Sequence, residues 1–380
     1  MKKIMILLCI FILVLSALPP AFADARDLVV IQKEEPSSIW DATILANGEI
    51  WVSGISYTQD GYIDWLAKVN LDGTIACYIE EQYASESIFL LGDTRYVLHY
   101  VRDGNAFKKV ELVPISEDGC AGEPIALKNS ANGIIDRSMI GHIPQGILVY
   151  GSSLEDPWFT LYDENMNIVM AVDYPFGFLP NFREKGYFFH PSIQWHQDCI
   201  WLYGQFEPSK FYLMKADLNG TIDSCLTIPL PVNRNVMNMT IWDNQIFLLG
   251  KTLYGAFGAA YLTCIDFQGK VLWERVITDY HRGFTPFSIT QIGRGFIVYG
   301  DRIVRTSHGD ECTIFFAAVS RNGRVGKEVE ISYFKPPSIP SGILFRDDFY
   351  VFGEAARGQP DHMVYEKFTI DDSWFPDGET

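Results

Sequence analysis

The residues best suited to hold a ligand are aromatic and cationic side chains that concentrate in two segments, residues 174–190 and 280–287. The side chains of interest in these segments are Phe176, Phe178, Phe182, Tyr280, His281 and Arg282. Exposed aromatic rings beside Arg and His form a stacking surface for a glycan or a partner protein. The alternative is that the rings fill gaps between neighbouring structural units. The first interpretation predicts a binding surface made of these two segments.

A third segment, residues 301–311, carries charged groups that suit acid–base chemistry: Arg302, Arg305 and His308, with Asp310 and Glu311 beside them. We expect a long loop here, whose cationic groups add ligand contacts. A carboxylate and a histidine held together can act as general acid and base. Many loops of an acidic protein contain the same groups, however, and the sequence has no nucleophile-elbow, zinc-protease, phosphate-loop or dinucleotide motif in a fitting context. The sequence therefore assigns no catalytic residue.

Neither a metal nor a cofactor is expected. Turns of the form Asp/Asn-x-x-Gly recur at 70–73, 217–220 and 266–269, but each offers too few oxygens for calcium, which takes six to eight. Hairpin chemistry explains them better. Zinc has little support, because the chain lacks a CxxC pair and a Cys/His cluster. Six cysteines follow residue 23, and we expect buried free thiols rather than a disulfide framework, although 15 pairings are open: Cys77, Cys120, Cys199, Cys225, Cys264 and Cys312.

The first 23 residues have the pattern of a signal peptide, which predicts a secreted protein. Lys2 and Lys3 precede an apolar stretch, and Ala21-Phe22-Ala23 offers a cleavage site. The alternative, an uncleaved anchor, is disfavoured because the apolar stretch is short for a span of about 20 residues. Cleavage leaves 28 basic and 47 acidic residues, a net charge of −19. That charge argues against nucleic acid or an anionic membrane as a partner. Separately, we expect the protein to be a monomer.

A repeat supplies the elements that position these segments. A polar turn, about four apolar residues and a glycine recur in six phrases, at residues 47–54, 144–151, 197–204, 243–250, 293–300 and 346–353. A seventh copy at residues 92–100 has Tyr100 in place of the glycine. After each phrase comes an alternating apolar segment with a tight turn, typical of half-buried strands in hairpins. Four strands per period of about 50 residues is typical of a β-propeller blade.

We therefore predict an all-β fold, a single seven-bladed β-propeller of four-stranded blades over residues 24–380. Six or eight blades, or two stacked β-domains, are the alternatives. The chain after residue 363 supplies only a third strand to the last blade, so we expect the N-terminal strand 27–32 to complete that blade and close the ring. The expected blades are 40–82, 86–128, 135–175, 189–230, 236–278, 284–332 and 340–372.

The segment Leu262–Trp273 resembles the PQQ-like propeller repeat of the quinoprotein superfamily, which pairs a Leu-Asp strand with a Gly-Lys turn and a tryptophan. Residues 65–75 and 211–222 are similar but lack the tryptophan. The resemblance implies the fold. Quinoprotein dehydrogenases would be expected to hold a calcium-bound quinone partly through adjacent cysteines, and no two cysteines are adjacent here. The family's activity is therefore not carried over.

These observations predict a secreted binding or scaffold module for a protein or a glycan. The alternative is an extracellular enzyme with its site at the central channel, either a glycan hydrolase or lyase or a quinone-dependent oxidoreductase.

Overall fold

The structure is a computed structural model. It describes residues 28–31, 37–58, 61–80, 85–103, 106–127, 137–143, 146–152, 157–173, 192–207, 210–231, 234–252, 258–278, 284–306, 309–331, 334–335, 341–346, 348–355 and 363–376. The proposed signal peptide lies outside these residues. Within them, no helix is long and apolar enough to cross a membrane.

Consecutive antiparallel strands form the seven sheets of the described chain. Blade 1 contains β2 (Ser37–Ile44), β3 (Ile50–Thr58), β4 (Gly61–Val69) and β5 (Ile75–Glu80). Blade 2 contains β6 (Ser85–Leu91), β7 (Thr94–Asp103), β8 (Ala106–Ile115) and β9 (Ile125–Ala126). Blade 3 contains β10 (Arg137–Ile143), β11 (Gly146–Ser152), β12 (Pro157–Tyr162) and β13 (Ile168–Asp173).

The second half of the ring repeats this order. Blade 4 contains β14 (Ser192–His196), β15 (Cys199–Glu207), β16 (Lys210–Asp217) and β17 (Ile222–Pro229). Blade 5 contains β18 (Arg234–Trp242), β19 (Gln245–Thr252), β20 (Ala260–Asp266) and β21 (Val271–Val276). Blade 6 contains β22 (Phe284–Ile292), β23 (Gly295–Thr306), β24 (Gly309–Ser320) and β25 (Val325–Ile331). Blade 7 contains β26 (Phe334–Lys335), β27 (Ser341–Phe345), β28 (Asp348–Ala355), β29 (Met363–Thr369) and β1 (Leu28–Ile31).

The first strand of each blade faces the ring axis. In blade 7, β26 and β27 both pair with β28 and together take the place of the first strand. β2 contacts both β6 and β27, and β14 contacts β10 and β18, so neighbouring first strands meet around the axis. The predicted seven-bladed propeller is confirmed, and the six- and eight-bladed alternatives are wrong.

The repeat phrase forms the second strand of each blade. Ile50, Trp51 and Val52 in β3 are at most 2% exposed, because a strand between two packed faces is covered on both sides and reads as a continuous apolar run. The outer strand β17 alternates between half-buried and exposed residues instead, since one face meets solvent. Both patterns agree with the sequence.

The glycine that ends the phrase of blade 5 makes room for an aromatic residue of the third strand. Gly250 pairs with Tyr261 across β19 and β20, and a Cβ at Gly250 would overlap the Tyr261 ring. The same register joins Gly300 to Phe315 in blade 6. In blade 2, where Tyr100 replaces the glycine, its partner is the smaller Val110.

The N-terminal strand closes the ring, as predicted. β1 pairs antiparallel with β29, from Leu28 opposite Glu366 to Ile31 opposite Met363. Ile31 is 1% exposed in the core shared by blades 7 and 1. Tyr365 reinforces this junction, because its hydroxyl donates a hydrogen bond of 2.8 Å to the Leu71 carbonyl of blade 1.

The segment after β29 packs against blade 6. Asp371 caps a 3-10 turn at Asp372–Trp374 by accepting a hydrogen bond from the Ser373 N–H. Trp374 is 5% exposed and stacks on Phe316, with ring centroids 5.9 Å apart. The C-terminal segment therefore anchors blade 7 to its neighbour.

One loop prediction is wrong. Residues 301–311 were expected to form a long loop, but Asp301–Thr306 extends β23 and Gly309–Glu311 begins β24. Ile303 and Val304 are β-branched residues, which favour this extension of the strand. The charged residues around them led to the expectation of a loop.

Candidate functional site

The topology divides the connections between strands into two faces. An even number of strands per blade returns the chain to one face, which we call the loop face, and it takes the blade-to-blade connections and the loops between second and third strands. The first-to-second and third-to-fourth hairpins occupy the opposite face, the hairpin face. The loop face is where the sequence predicts ligand contacts.

Most predicted ligand residues lie outside the described residues: Phe176, Phe178, Phe182, Tyr280, His281, Arg282 and His308. The strands that flank these positions are described. β13 ends at Asp173 and β14 begins at Ser192, and blade 6 begins at Phe284. Arg305 lies in β23, where it pairs in register with Asp310.

Arg302 is the one predicted ligand residue whose side chain is described, and it lies inside blade 6. It is 5% exposed, its guanidinium carbon is 3.8 Å from the centre of the Phe315 ring, and Nη1 donates to Glu330 Oε2 at 2.9 Å. Thr313 completes the group, because its hydroxyl donates to Glu330 Oε1 at 3.1 Å. Nε and Nη2 have no hydrogen-bond partner among the described residues. The sequence did not indicate this burial.

Blade 5 contains a related group that the sequence interpretation missed. The Arg234 guanidinium carbon is 4.5 Å from the Tyr261 ring centre, and Arg234 also pairs with Glu274. Glu274 accepts a 3.1 Å hydrogen bond from the Thr263 hydroxyl. Burial raises the pKa of Tyr261. Arginine, aromatic ring, glutamate and threonine thus recur in blades 5 and 6 as supports within the ring.

A histidine–glutamate pair lies inside blade 2. His99 and Glu111 are opposite each other in β7 and β8, with His99 Nδ1 3.6 Å from Glu111 Oε2. Such a pair has the groups for acid–base chemistry. The two residues are only 9% and 7% exposed, so this geometry favours a structural role.

Glu49 joins blades 1 and 2. Its carboxylate accepts two hydrogen bonds from Arg95, from Nε at 2.6 Å and from Nη2 at 2.5 Å. Lys68 Nζ donates a third at 2.7 Å, and Trp51 Nε1 donates a fourth at 3.2 Å. Chiefly because of Arg95, these bonds lower the pKa of Glu49 to about 2. The cluster stabilises the contact between the two blades.

The Asp-x-x-Gly turns use their carboxylates for the hairpin itself, as predicted. Asp217 Oδ1 accepts from the backbone N–H groups of Asn219 and Thr221 at 2.8 and 2.7 Å. The bond from Thr221 is the main reason that the pKa of Asp217 lies below its ordinary value. Over the described ranges, no three His, Cys, Asp or Glu side chains are grouped so that they could hold a metal ion.

The cysteines differ from the expected buried thiols. Cys264 is buried and its pKa is raised to about 11 by that burial. Cys120 and Cys225 are exposed, and Cys77 and Cys199 are half-buried. All five are free thiols in this structure. The side chain of Cys312 lies outside the described set.

Comparison with solved structures finds other proteins of the same fold. The polysaccharide lyase Uly1 matches with a TM-score of 0.57 at 10% identity, over 93% of this chain and 96% of the lyase. The β-propeller domain of the Trilobed protease from Pyrococcus furiosus matches with a TM-score of 0.52 at 12% identity, over 90% and 97%. The acylaminoacyl peptidase of Pyrococcus horikoshii gives 0.53 at 12% identity over 89% of this chain, which spans 53% of the peptidase.

What these proteins share with the chain is the propeller fold. The Trilobed protease domain is described as having an open velcro topology, whereas β1 and β29 are paired here. No family model matches the chain. No curated protein matches it either. At identities of 10–12%, the similarity to these proteins shows the fold and does not show a shared reaction.

Proposed function

We propose that the protein is a secreted, non-catalytic propeller that binds a protein or carbohydrate ligand through its loop face. The observation that carries the proposal is the composition of two blade-to-blade connections. Between Asp173 and Ser192 the chain contains Phe176, Phe178 and Phe182, and before Phe284 it contains Tyr280, His281 and Arg282. Aromatic rings with adjacent cations suit both sugar faces and protein hot spots.

Arg302 enters the proposal as a supporting residue. Because it is buried and bonded to Glu330, we propose that it holds the loop-face end of blade 6 from inside and makes no direct ligand contact. The same role applies to Arg234, which stands over Tyr261 in blade 5. We propose direct contact with the ligand only for the two blade-to-blade connections.

The competing function is an extracellular enzyme, either a glycan hydrolase or lyase or a quinone-dependent oxidoreductase of the PQQ-like type. That function needs acidic or basic side chains free to meet a substrate at the channel. The ionisable groups described above are instead bonded to one another within blades or between them. This difference favours binding over catalysis.

A glycan and polypeptide binding screen of the full chain tests the proposal. We expect at least one ligand whose binding is weakened tenfold or more by Phe178→Ala or Tyr280→Ala. Leu71→Ala is the matched control, because Leu71 is a large apolar residue, 70% exposed, in a turn of the hairpin face. Equal binding by all variants, or chemical conversion of the ligand, would contradict the proposal.

Export has its own test. The N-terminal sequence of the protein recovered outside the cytoplasm should begin at Asp24-Ala25-Arg26. Recovery of the full chain in the membrane fraction would show an uncleaved anchor instead.

A further inference from the structure

A thiol of blade 1 lies against a hairpin of blade 2. Cys77 is in the outer strand β5, and the hairpin is the turn Ser116–Cys120 that follows β8. Gly119 in this turn has φ +86°, and a Cβ at that position would overlap the Cys77 Sγ atom. The sulfur of blade 1 therefore occupies the space where any other residue at 119 would have its side chain.

The next residue of this hairpin is the second cysteine. Cys120 follows Gly119 directly, and successive Cα atoms are about 3.8 Å apart. Disulfides join residues whose Cα atoms are roughly 4.4–6.8 Å apart, so a sulfur in contact with Gly119 is within reach of Cys120. The short turn is held by a 3.0 Å hydrogen bond from the Ser116 N–H to the Cys120 carbonyl. Burial is the main cause of the raised pKa of Cys77, and Asp118 and Cys120 of this hairpin add to it, while Lys68 opposes it.

We propose that Cys77 and Cys120 form a disulfide that links blade 1 to blade 2 when the protein meets an oxidising compartment. Cys120 is exposed and Cys77 is half-buried, so the Cys120 thiolate attacks an external disulfide such as oxidised glutathione first. This step forms a mixed disulfide and releases one glutathione thiol. The Cys77 thiolate then attacks the Cys120 sulfur and releases the second glutathione thiol. Two protein thiols are oxidised and one glutathione disulfide is reduced to two thiols.

The link would act at one blade junction. Glu49 and Arg95 already join blades 1 and 2, and the disulfide adds a covalent bond between the outer strand β5 and the neighbouring hairpin. The disulfide would close the loop from Cys77 to Cys120, and a closed loop of this length restricts the unfolded chain. We expect the thermal midpoint to rise by about 5 °C on oxidation, as the loop-closure entropy and the size of the chain suggest.

Peptide mapping of the full-length protein tests this proposal. The protein is incubated with oxidised glutathione at pH 8, alkylated, digested and analysed by mass spectrometry. We expect one peptide pair that joins Cys77 to Cys120, with Cys225 recovered as a thiol or as a glutathione adduct. Cys77→Ser should abolish the pair and leave Cys120 as a glutathione adduct, with the thermal midpoint no longer raised by oxidation.

Cys225→Ser is the matched control, because Cys225 is an exposed cysteine in the outer strand β17 of blade 4. It should leave the Cys77–Cys120 pair and the midpoint shift unchanged. Separate glutathione adducts on Cys77 and Cys120, or a different cysteine pair in the unsubstituted protein, would overturn the proposal. The mapping does not depend on the variants, so a poorly folded variant leaves the test decisive.

Discussion

The Glu49→Gln substitution tests whether the contact between blades 1 and 2 depends on charge. The pKa of Glu49 is lowered from 4.5 to about 2, chiefly by Arg95 and also by Lys68. A difference of this size corresponds to about 3 kcal/mol of stability at neutral pH. Because the Glu49 side chain is 14% exposed, we expect a loss of about 2–3 kcal/mol after modest solvent screening. For a chain of this length that lowers the midpoint by about 3–4 °C.

The pH dependence distinguishes an ionic contact from a packing contact. The pKa of Glu49 is lower in the folded state than in the unfolded chain, so its stabilisation is complete above about pH 4.5 and is lost as the pH falls toward 2. Calorimetric midpoints of both proteins at pH 7, 5, 4 and 3 measure this. The difference in midpoint between the parent protein and the Glu49→Gln variant should be largest at pH 7 and 5 and should shrink at pH 4 and 3.

An exposed glutamate of the neighbouring blade provides the control. Glu123→Gln in blade 2 should change the stability by less than about 0.5 kcal/mol, as surface substitutions usually do. A gap between the parent protein and the Glu49→Gln variant that stays constant from pH 7 to pH 3 would refute the ionic account of this contact.

Three further substitutions test the closure and packing of the ring by thermal unfolding. Ile31→Ala should cost about 2–4 kcal/mol because Ile31 is 1% exposed, whereas Val30→Ala, at 40% exposed, should cost far less; equal effects would contradict the burial of β1. Gly250→Ala should destabilise because the new Cβ overlaps the Tyr261 ring, and an unchanged midpoint would show that the strands have room. Trp374→Ala should cost about 3–5 kcal/mol, since Trp374 is 5% exposed against blade 6, and no loss would mean that the C-terminal segment is not docked.

The repeat could be recognised in the sequence because each blade packs its strands in the same way. A second strand buried on both faces needs a continuous apolar run. Its neighbours need the space that a glycine leaves, for the Tyr261 ring at Gly250 and for the first-strand backbone at Gly300. The closing strand was predictable for a similar reason, because β29 has an edge with which the N-terminal strand pairs. These are local patterns that recur at a fixed period.

Contacts between blades were harder to predict, although one signal was available. Glu49 and Arg95 occupy the same position of successive phrases, 46 residues apart, and Gln194 and Thr240 are also 46 apart and hydrogen-bonded. A separation of one repeat therefore marks side chains that meet across a blade junction. Charge pairing at that spacing would have identified Glu49.

Other features left no mark in the pattern. Arg302 resembles an exposed loop residue until the strand extension buries it over Phe315. Cys77 and Cys120 belong to different positions of their repeats, so nothing in their spacing indicates that one lies against the hairpin of the other. The burial of Arg302 and the position of Cys77 against the hairpin both depend on how neighbouring strands and blades are offset. Secondary-structure propensities do not encode these offsets.

The proposed function requires that the loop face binds a ligand without converting it. Isothermal titration of the ligand recovered from the screen, followed by mass analysis of that ligand, measures both properties. We expect one site per chain, an unchanged ligand mass, an affinity at least tenfold weaker for Tyr280→Ala, and an unaltered affinity for Leu71→Ala. A ligand that is cleaved or oxidised, or equal affinities for the two variants, would contradict the proposed function.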